Sequence, residues 1–188
     1  MKLRYFACII ILLFIIGCAR QENNINRANR VVEMKITSPA FSYNASIPSK
    51  YTCDSQSQPN PPLVFEAVPK GAKSLALVMD DPDVPKALKP DGMFDHWVIF
   101  NIPPDLKGIE EGKSIGIVGL NGAGKNAYVG PCPPPQYEPS THRYFFKLYA
   151  LDTILNIPKS SGKKALEAAM EGHIIEKAEL IGVYKRNK

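Results

Sequence analysis

Fourteen of the chain's 17 prolines lie between residues 59 and 139, and this distribution limits the fold more than any other feature. Proline lacks a backbone N–H and clashes with the preceding helical turn, so helix interiors and central strands exclude it. The prolines fall between short apolar runs, so they shape loops and leave the runs intact. Those runs read as strands. Val32, Met34 and Ile36 alternate with Glu33, Lys35 and Thr37, the two-residue period of a half-buried strand, and Leu63, Phe65 and Ala67 repeat it. Leu75–Met79 and His96–Ile102 are continuous, as for strands covered on both faces. Ser42–Lys50 and Ser114–Val118 have room for shorter strands, Tyr144–Leu151 is the strongest of the set, and Ala178–Tyr184 closes the domain. One helix is predicted over residues 163–172, capped by Ser160 or Ser161, with Leu166, Ala169, Met170 and His173 on one face. Many short strands, proline-rich loops and one late helix predict a mainly β protein, an antiparallel β-sandwich with a short C-terminal helix.

At 188 residues the chain can bury a core in one domain without metal or disulfide staples. It opens with a leader: Lys2 and Arg4, then an apolar core from Tyr5 to Ile16 that is too short to span a bilayer. The leader ends Ile15-Ile16-Gly17-Cys18, which resembles a bacterial lipobox, where Cys18 takes lipid and becomes the new N-terminus. An uncleaved anchor or a plain secretory signal is the competing reading. The expected organisation is a lipoprotein signal peptide over 1–17, the lipidated Cys18 and a flexible polar tether over 18–30, and the domain over 31–188. Losing Lys2 and Arg4 takes the formal charge from +5 to +3, too mild to argue for nucleic acid. Ala19 follows the lipid site, and the absence of aspartate there resembles lipoproteins sorted to an outer membrane. The expected location is therefore the bacterial cell envelope, on the periplasmic face and at the outer membrane if the cell has one. Cys53 and Cys132 remain after Cys8 and Cys18. In an oxidising compartment they could pair, or they could stand as two buried thiols.

Gly119–Lys125, GLNGAGK, satisfies the pattern of a phosphate-binding P-loop. Three physical points speak against that use. Asn126 stands where a Ser or Thr hydroxyl would hold Mg²⁺. The following NAYVGPCPPP cannot form the helix whose N-terminal amides hold phosphate. The parallel βαβ setting is also missing. The stretch reads as a glycine-rich loop leading to a pocket wall.

The chemistry-bearing groups gather at the ends of the apolar runs. Asp80, Asp81 and Asp83 follow Leu75–Met79, Asp95-His96-Trp97 opens the next run, and His142-Arg143-Tyr144 heads a third. If those ends meet, carboxylates, two imidazoles and a phenol face one small space. Each group alone has a plainer reading: Asp-Pro-Asp as turn chemistry, His96 as a structural histidine, Tyr144 as core beside Phe146 and Leu148. Strand alternation puts His142 and Tyr144 on one face and Arg143 on the other. Together, imidazole and tyrosine donors suit an anionic oxygen, while carboxylates accept from an amine or favour a protonated imidazole. A zwitterion such as a phosphoethanolamine head group would use both. No spacing here matches a metal site, and no cofactor is implied. Ser114, Ser140, Ser160 and Ser161 stand in no nucleophile–base pattern, so a binding protein is expected and an enzyme is not.

Asp81-Pro82-Asp83-Val84-Pro85 and His96-Trp97-Val98, leading to Asn101-Ile102-Pro103, resemble the first signature of the phosphatidylethanolamine-binding protein family, in its bacterial and archaeal Raf-kinase-inhibitor-like branch. Gly130-Pro131-Cys132-Pro133-Pro134, then His142-Arg143-Tyr144 and Tyr149-Ala150-Leu151-Asp152, resemble the second. Tyr51-Thr52-Cys53-Asp54, Glu171-Gly172-His173-Ile174 and Gly182–Arg186 extend the likeness in order from about Val31 to Arg186. The resemblance implies a β-sandwich with a small anion pocket. Asp81, Asp83, His96, His142 and Tyr144 would line it, with Gly130 and Pro131 as a wall, and the ligand would be phosphate or phosphoethanolamine-like. Residues 136–141, QYEPST, depart from the family by a longer loop beside the expected pocket mouth. The competing expectation, also from the family, is an inhibitor of a serine protease that acts through this loop.

Overall fold

The computed structural model describes residues 32–186, so the leader over 1–17, Cys18 and the tether over 18–30 lie outside the described residues. The elements below belong to one unit, Met34–Lys188. A small sheet consists of β1 (Lys35–Thr37), β2 (Leu63–Glu66) and β5 (Gly108–Ile109), in the order β1-β2-β5. A larger one consists of β3 (Ser74–Asp81), β4 (Phe94–Ile102), β6 (Ile117–Val118), β7 (Thr141–Leu151) and β8 (Ile174–Lys185), in the order β6-β4-β3-β7-β8. Every pairing between these strands is antiparallel. One short α-helix, α1 (Lys163–Met170), follows β7. The fold is the mainly β, antiparallel sandwich expected from the prolines and the short apolar runs. Among the described residues no helix is long and apolar enough to cross a membrane.

The apolar run of β3 has no alternation because both of its faces are covered; all eight residues are buried. Leu75, Leu77 and Met79 join the core that contains Ile36, Leu63, Phe65 and Ile109 of the small sheet. Ala76 and Val78 join the core on the opposite face, with Leu166 and Met170 of α1. Full burial of a Leu, Ile or Met side chain is worth roughly 1.5–3 kcal/mol, so two layers hold this strand from either side.

Strand β4 departs from regular alternation twice. Its register with β3 steps from Leu75↔Ile102 to Leu77↔Ile99, and again from Met79↔Trp97 to Asp80↔Asp95. Each step leaves one extra residue on β4, the definition of a β-bulge. At the first, Asn101 adopts φ 55° and its side-chain amide makes two 2.9 Å hydrogen bonds with the Leu155 backbone. At the second, the unpaired residue is His96.

Several expectations are corrected in detail. Val32 is exposed and lies before β1; the buried residues there are Met34, just ahead of the strand, and Ile36 within it. Ser42–Lys50 forms no strand; Asn44 has φ 60°, Ser46 makes a lone bridge to Val183, and a 3-10 turn follows at Ser49–Tyr51. Ser114–Val118 shortens to the two residues of β6 because Gly116, at φ 93°, breaks the extended backbone. Helix α1 starts from Gly162, without a side-chain cap from Ser160 or Ser161, and stops at Met170. Leu166 and Met170 are buried as expected, but His173 lies past the helix, exposed and paired with Asp152.

Candidate functional site

The polar end of the large sheet is built where β3 leaves the core, β4 enters it and β7 begins. Alternation along β7 buries His142 and Tyr144 and leaves Arg143 exposed, as the sequence pattern expects. The bulge in β4 does what alternation cannot. Trp97 already faces the small-sheet core, and a regular strand would turn its neighbour His96 to the other face. The extra residue lets His96 lie on the same side, with its ring edge-on to Tyr144 at 5.2 Å between centroids. Asp95 is thereby left on the α1 side, 3.5 Å from Lys163 Nζ.

A cavity of about 270 Å³ opens there, lined by Asp81, Val84, Leu88, Phe94, His96, Val129, Gly130, Cys132, Pro134 and His142. Its polar groups are few and held in place. Asp81 Oδ1 accepts the Asp83 N–H at 2.8 Å, and its Oδ2 lies 2.7 Å from His142 Nδ1. His96 Nδ1 lies 2.7 Å from the Val129 carbonyl oxygen. Burial holds the His96 pKa below its ordinary value of 6.5, against the opposing pull of the Val129 carbonyl and Asp81. Burial, and then the Asp81 carboxylate, push the Tyr144 hydroxyl well above the ordinary phenol range. His142 Nε2 and the Tyr144 hydroxyl are fully buried with no hydrogen-bond partner among the described residues. Such groups cost about 1–3 kcal/mol each when nothing meets them. The remaining wall is apolar, from Val84, Leu88, Phe94 and Pro134.

Gly130 and Cys132 fix the second wall. A Cβ on Gly130 would stand 2.6 Å from the Tyr51 carbonyl oxygen, so the two segments can approach only with glycine there. The Cys53 N–H donates to the Pro131 carbonyl at 3.0 Å, and Cys53 and Cys132 form a disulfide. The glycine-rich Gly119–Lys125 stretch closes on itself as a turn: Asn121 Oδ1 accepts the N–H groups of Ala123 and Lys125, and no helix follows. The Gly122 N–H donates to the Asp95 carbonyl at 2.7 Å, which packs this loop behind the cavity beside Phe94.

Asp81, His96, Gly130 and His142 therefore share one cavity as the sequence reading placed them. Asp83 is a correction. It does not line the cavity; its carboxylate takes a two-pronged ion pair from Arg143, at 2.8 Å from Nε and 2.7 Å from Nη2, and also the Arg143 backbone N–H. Arg143, with its own side chain facing away from the cavity, supplies the signal that sequence alone could not connect across sixty residues. Pro131 contributes its carbonyl to Cys53 and is not a lining residue, and Tyr144 stands behind His96 instead of at the surface of the cavity. Residues 136–141 do not line it either. Sequence reasoning missed Val84, Leu88, Phe94, Val129 and Pro134, whose apolar side chains give no chemical signal. Among the described residues no three His, Cys, Asp or Glu side chains gather as metal ligands would.

On the other face of the sheet lies a second buried polar cluster. Asp80, fully buried, accepts from Lys147 Nζ at 2.9 Å and from Lys163 Nζ. Lys163 is raised above its ordinary pKa of 10.5 by Asp80 and Asp95, although burial acts first and in the opposite direction.

Comparison with known proteins places this geometry among relatives. The pattern of the phosphatidylethanolamine-binding protein family matches residues 37–185. A protein of Chlamydia pneumoniae named UPF0098 protein is 46% identical over 155 residues, which cover 82% of this chain and 100% of that one. The UPF0098 protein of Methanothermobacter thermautotrophicus is 45% identical over 160 residues, 81% of this chain and 99% of its own. The crystal structure of a phosphatidylethanolamine-binding protein homologue from Chlamydia trachomatis superposes with a TM-score of 0.78 at 44% identity, covering 82% of this chain and 99% of that one. E. coli YbcL shares the fold with a TM-score of 0.73 at 24% identity, over 83% of this chain and 100% of its own.

Proposed function

The chain belongs to the phosphatidylethanolamine-binding protein family, and we propose that it is an envelope-anchored, non-enzymatic binding protein for a small anionic or zwitterionic ligand of the phosphate or phosphoethanolamine kind. The observation that carries this reading is the pair of buried groups without partners, His142 Nε2 and the Tyr144 hydroxyl, next to the cavity that His96 and Asp81 also line. Such groups are costly when nothing meets them, and a ligand oxygen reaching them would offset that cost. The cavity is small and largely apolar with a few convergent polar atoms, the usual make-up of a small-molecule site. A binding role fits it better than catalysis, because its lining holds no serine and its one cysteine is tied in the disulfide. The leader and Cys18 support anchoring to the envelope by lipid.

The test is a ¹⁵N NMR titration of the protein with phosphate and phosphoethanolamine. Saturable shifts at Asp81, His96 and His142, lost in His96→Ala, are the expected result. No shift at about millimolar ligand would remove the reading. Mass spectrometry of the mature protein from its native envelope tests the anchor separately: a lipid-modified Cys18 at the N-terminus is expected, and an unmodified mature N-terminus elsewhere would contradict it.

A further inference from the structure

The hydrogen bonds at the cavity wall bear on which anion it takes. A carbonyl oxygen only accepts, so His96 Nδ1 carries the hydrogen in its bond to Val129. A neutral imidazole has one N–H, so His96 Nε2 presents a lone pair. Charging that ring is opposed by its burial. Asp81 fixes His142 by the same logic: its Oδ1 is taken by the Asp83 N–H, and its Oδ2 meets His142 Nδ1. His142 Nε2 is the ring atom left without a partner among the described residues. An oxygen without a hydrogen thus meets a lone pair at His96, whereas an oxyacid that keeps one hydrogen can donate it there.

We propose that the cavity selects oxyacids that retain one ionisable hydrogen, phosphomonoesters and free phosphate, over phosphodiesters and sulfate. The inference rests on the anion-site reading and narrows it. In the complex the P–O–H group donates to His96 Nε2, and another phosphate oxygen lies against His142 Nε2. The other titratable groups packed around the Asp81–His142 pair are already engaged. On β3 and β7, Asp83 is clamped to Arg143; across β8, Tyr184 donates to Asp54, which Arg186 also holds. Behind His96, Asp80 is paired with Lys147 and Lys163, and Asp95 lies beside Lys163. The Tyr144 hydroxyl is neutral and stands behind His96, so it does not distinguish a monoester from a diester. The discrimination therefore falls to His96. An intact phosphatidylethanolamine is a diester, with no ionisable hydrogen on its phosphate near neutral pH, so the geometry favours the free head group over the lipid.

Calorimetric titration of the full chain with phosphate, phosphoethanolamine, glycerophosphoethanolamine and sulfate tests this, at about pH 6 and about pH 8, since a phosphomonoester loses its second proton near pH ~6. Phosphate against phosphoethanolamine separates a free anion from an amine-bearing head group, and phosphoethanolamine against glycerophosphoethanolamine separates monoester from diester. At the lower pH a monoester or phosphate is expected to bind at least about tenfold tighter than the diester and sulfate, with the advantage shrinking at the higher pH. His96→Asn keeps a donor for the Val129 carbonyl, but its shorter side chain places no acceptor where Nε2 stands, and it is expected to lose the preference. Equal affinity for monoester and diester, or monoester affinity that does not fall with rising pH, overturns the selection and leaves the anion site standing. Absence of binding by all four at both pH values overturns the anion site and the selection together.

Discussion

Asp80 and Asp81 are consecutive residues on β3, both buried, and their side chains leave opposite faces of the large sheet. Asp80 meets two lysine ammonium groups beneath α1. Asp81 meets an imidazole and a backbone amide at the edge of a cavity. The first carboxylate is neutralised by fixed cations from the protein itself. The second is matched by an imidazole beside a cavity, next to His142 Nε2 and the Tyr144 hydroxyl, which have no hydrogen-bond partner among the described residues. Unmet polar atoms do not by themselves separate the two, since Asp80 Oδ1 and Asp95 Oδ1 also lack a hydrogen-bond partner among the described residues; the Asp81 side differs in opening into a cavity, whereas the Asp80 carboxylate is held by two lysine ammonium groups. The bulge at His96 sharpens the division, because it sends His96 to the Asp81 side and Asp95 to the Asp80 side.

The largest expected effect comes from breaking the structural side. Asp80→Asn leaves Lys163 and Lys147 facing a neutral amide in a largely dry environment, and should cost about 3–5 kcal/mol in urea unfolding. Ligand affinity should be unchanged in the fraction that remains folded. A loss below about 1 kcal/mol would show that Lys147 and Lys163 reach water without Asp80.

Opening the disulfide perturbs the ligand side. Cys53 and Cys132 close a loop with a sequence separation of 79, so a Cys53→Ser/Cys132→Ser protein should lose about 3 kcal/mol. Because Cys132 lines the cavity, affinity should fall together with stability, which the Asp80 variant should not show. Calorimetric melting and ligand titration of the same double variant check both halves.

The smallest effect is expected at Asp83, which the family likeness put in the pocket and the structure puts on Arg143. Arg143 is more than half exposed, so Asp83→Ala should cost less than about 1 kcal/mol and leave binding intact. Its pH dependence has a definite sign. Hydrogen bonds from Arg143 lower the Asp83 carboxyl below its ordinary 3.8. The contribution is complete above pH 3.8 and is lost as pH falls through the lower folded value. Wild type and Asp83→Ala should therefore differ in melting temperature at about pH 6 and converge toward about pH 2. A difference that grows on acidification would contradict the clamp.

Much of this was legible in the chain before any coordinates. The prolines and apolar runs give the strands, and the uninterrupted Leu75–Met79 gives a strand covered on both faces. Asp81, His96, Gly130 and His142 stand out by residue type and by family likeness. What was not legible has physical causes. The β4 bulges are set by register against β3, and nothing in FDHWVIFNI marks them. Asp83 looked like a ligand group because its competitor, Arg143, is sixty residues away and is brought near only by the β3–β7 pairing. The apolar lining at Val84, Leu88 and Phe94 carries no chemical signature, so only three-dimensional placement separates it from ordinary loop residues. The Ser42–Lys50 segment failed as a strand because backbone conformation at Asn44, a residue tolerant of positive φ, decided it.

The central claim is that one face of β3 stabilises the domain while the other binds the ligand. The direct measurement is phosphoethanolamine affinity of Asp80→Asn and Asp81→Asn, side by side, each corrected for its folded fraction. Near wild-type affinity is expected for Asp80→Asn and a loss of at least about tenfold for Asp81→Asn. Equal losses in both, or an unaffected Asp81→Asn, would contradict it.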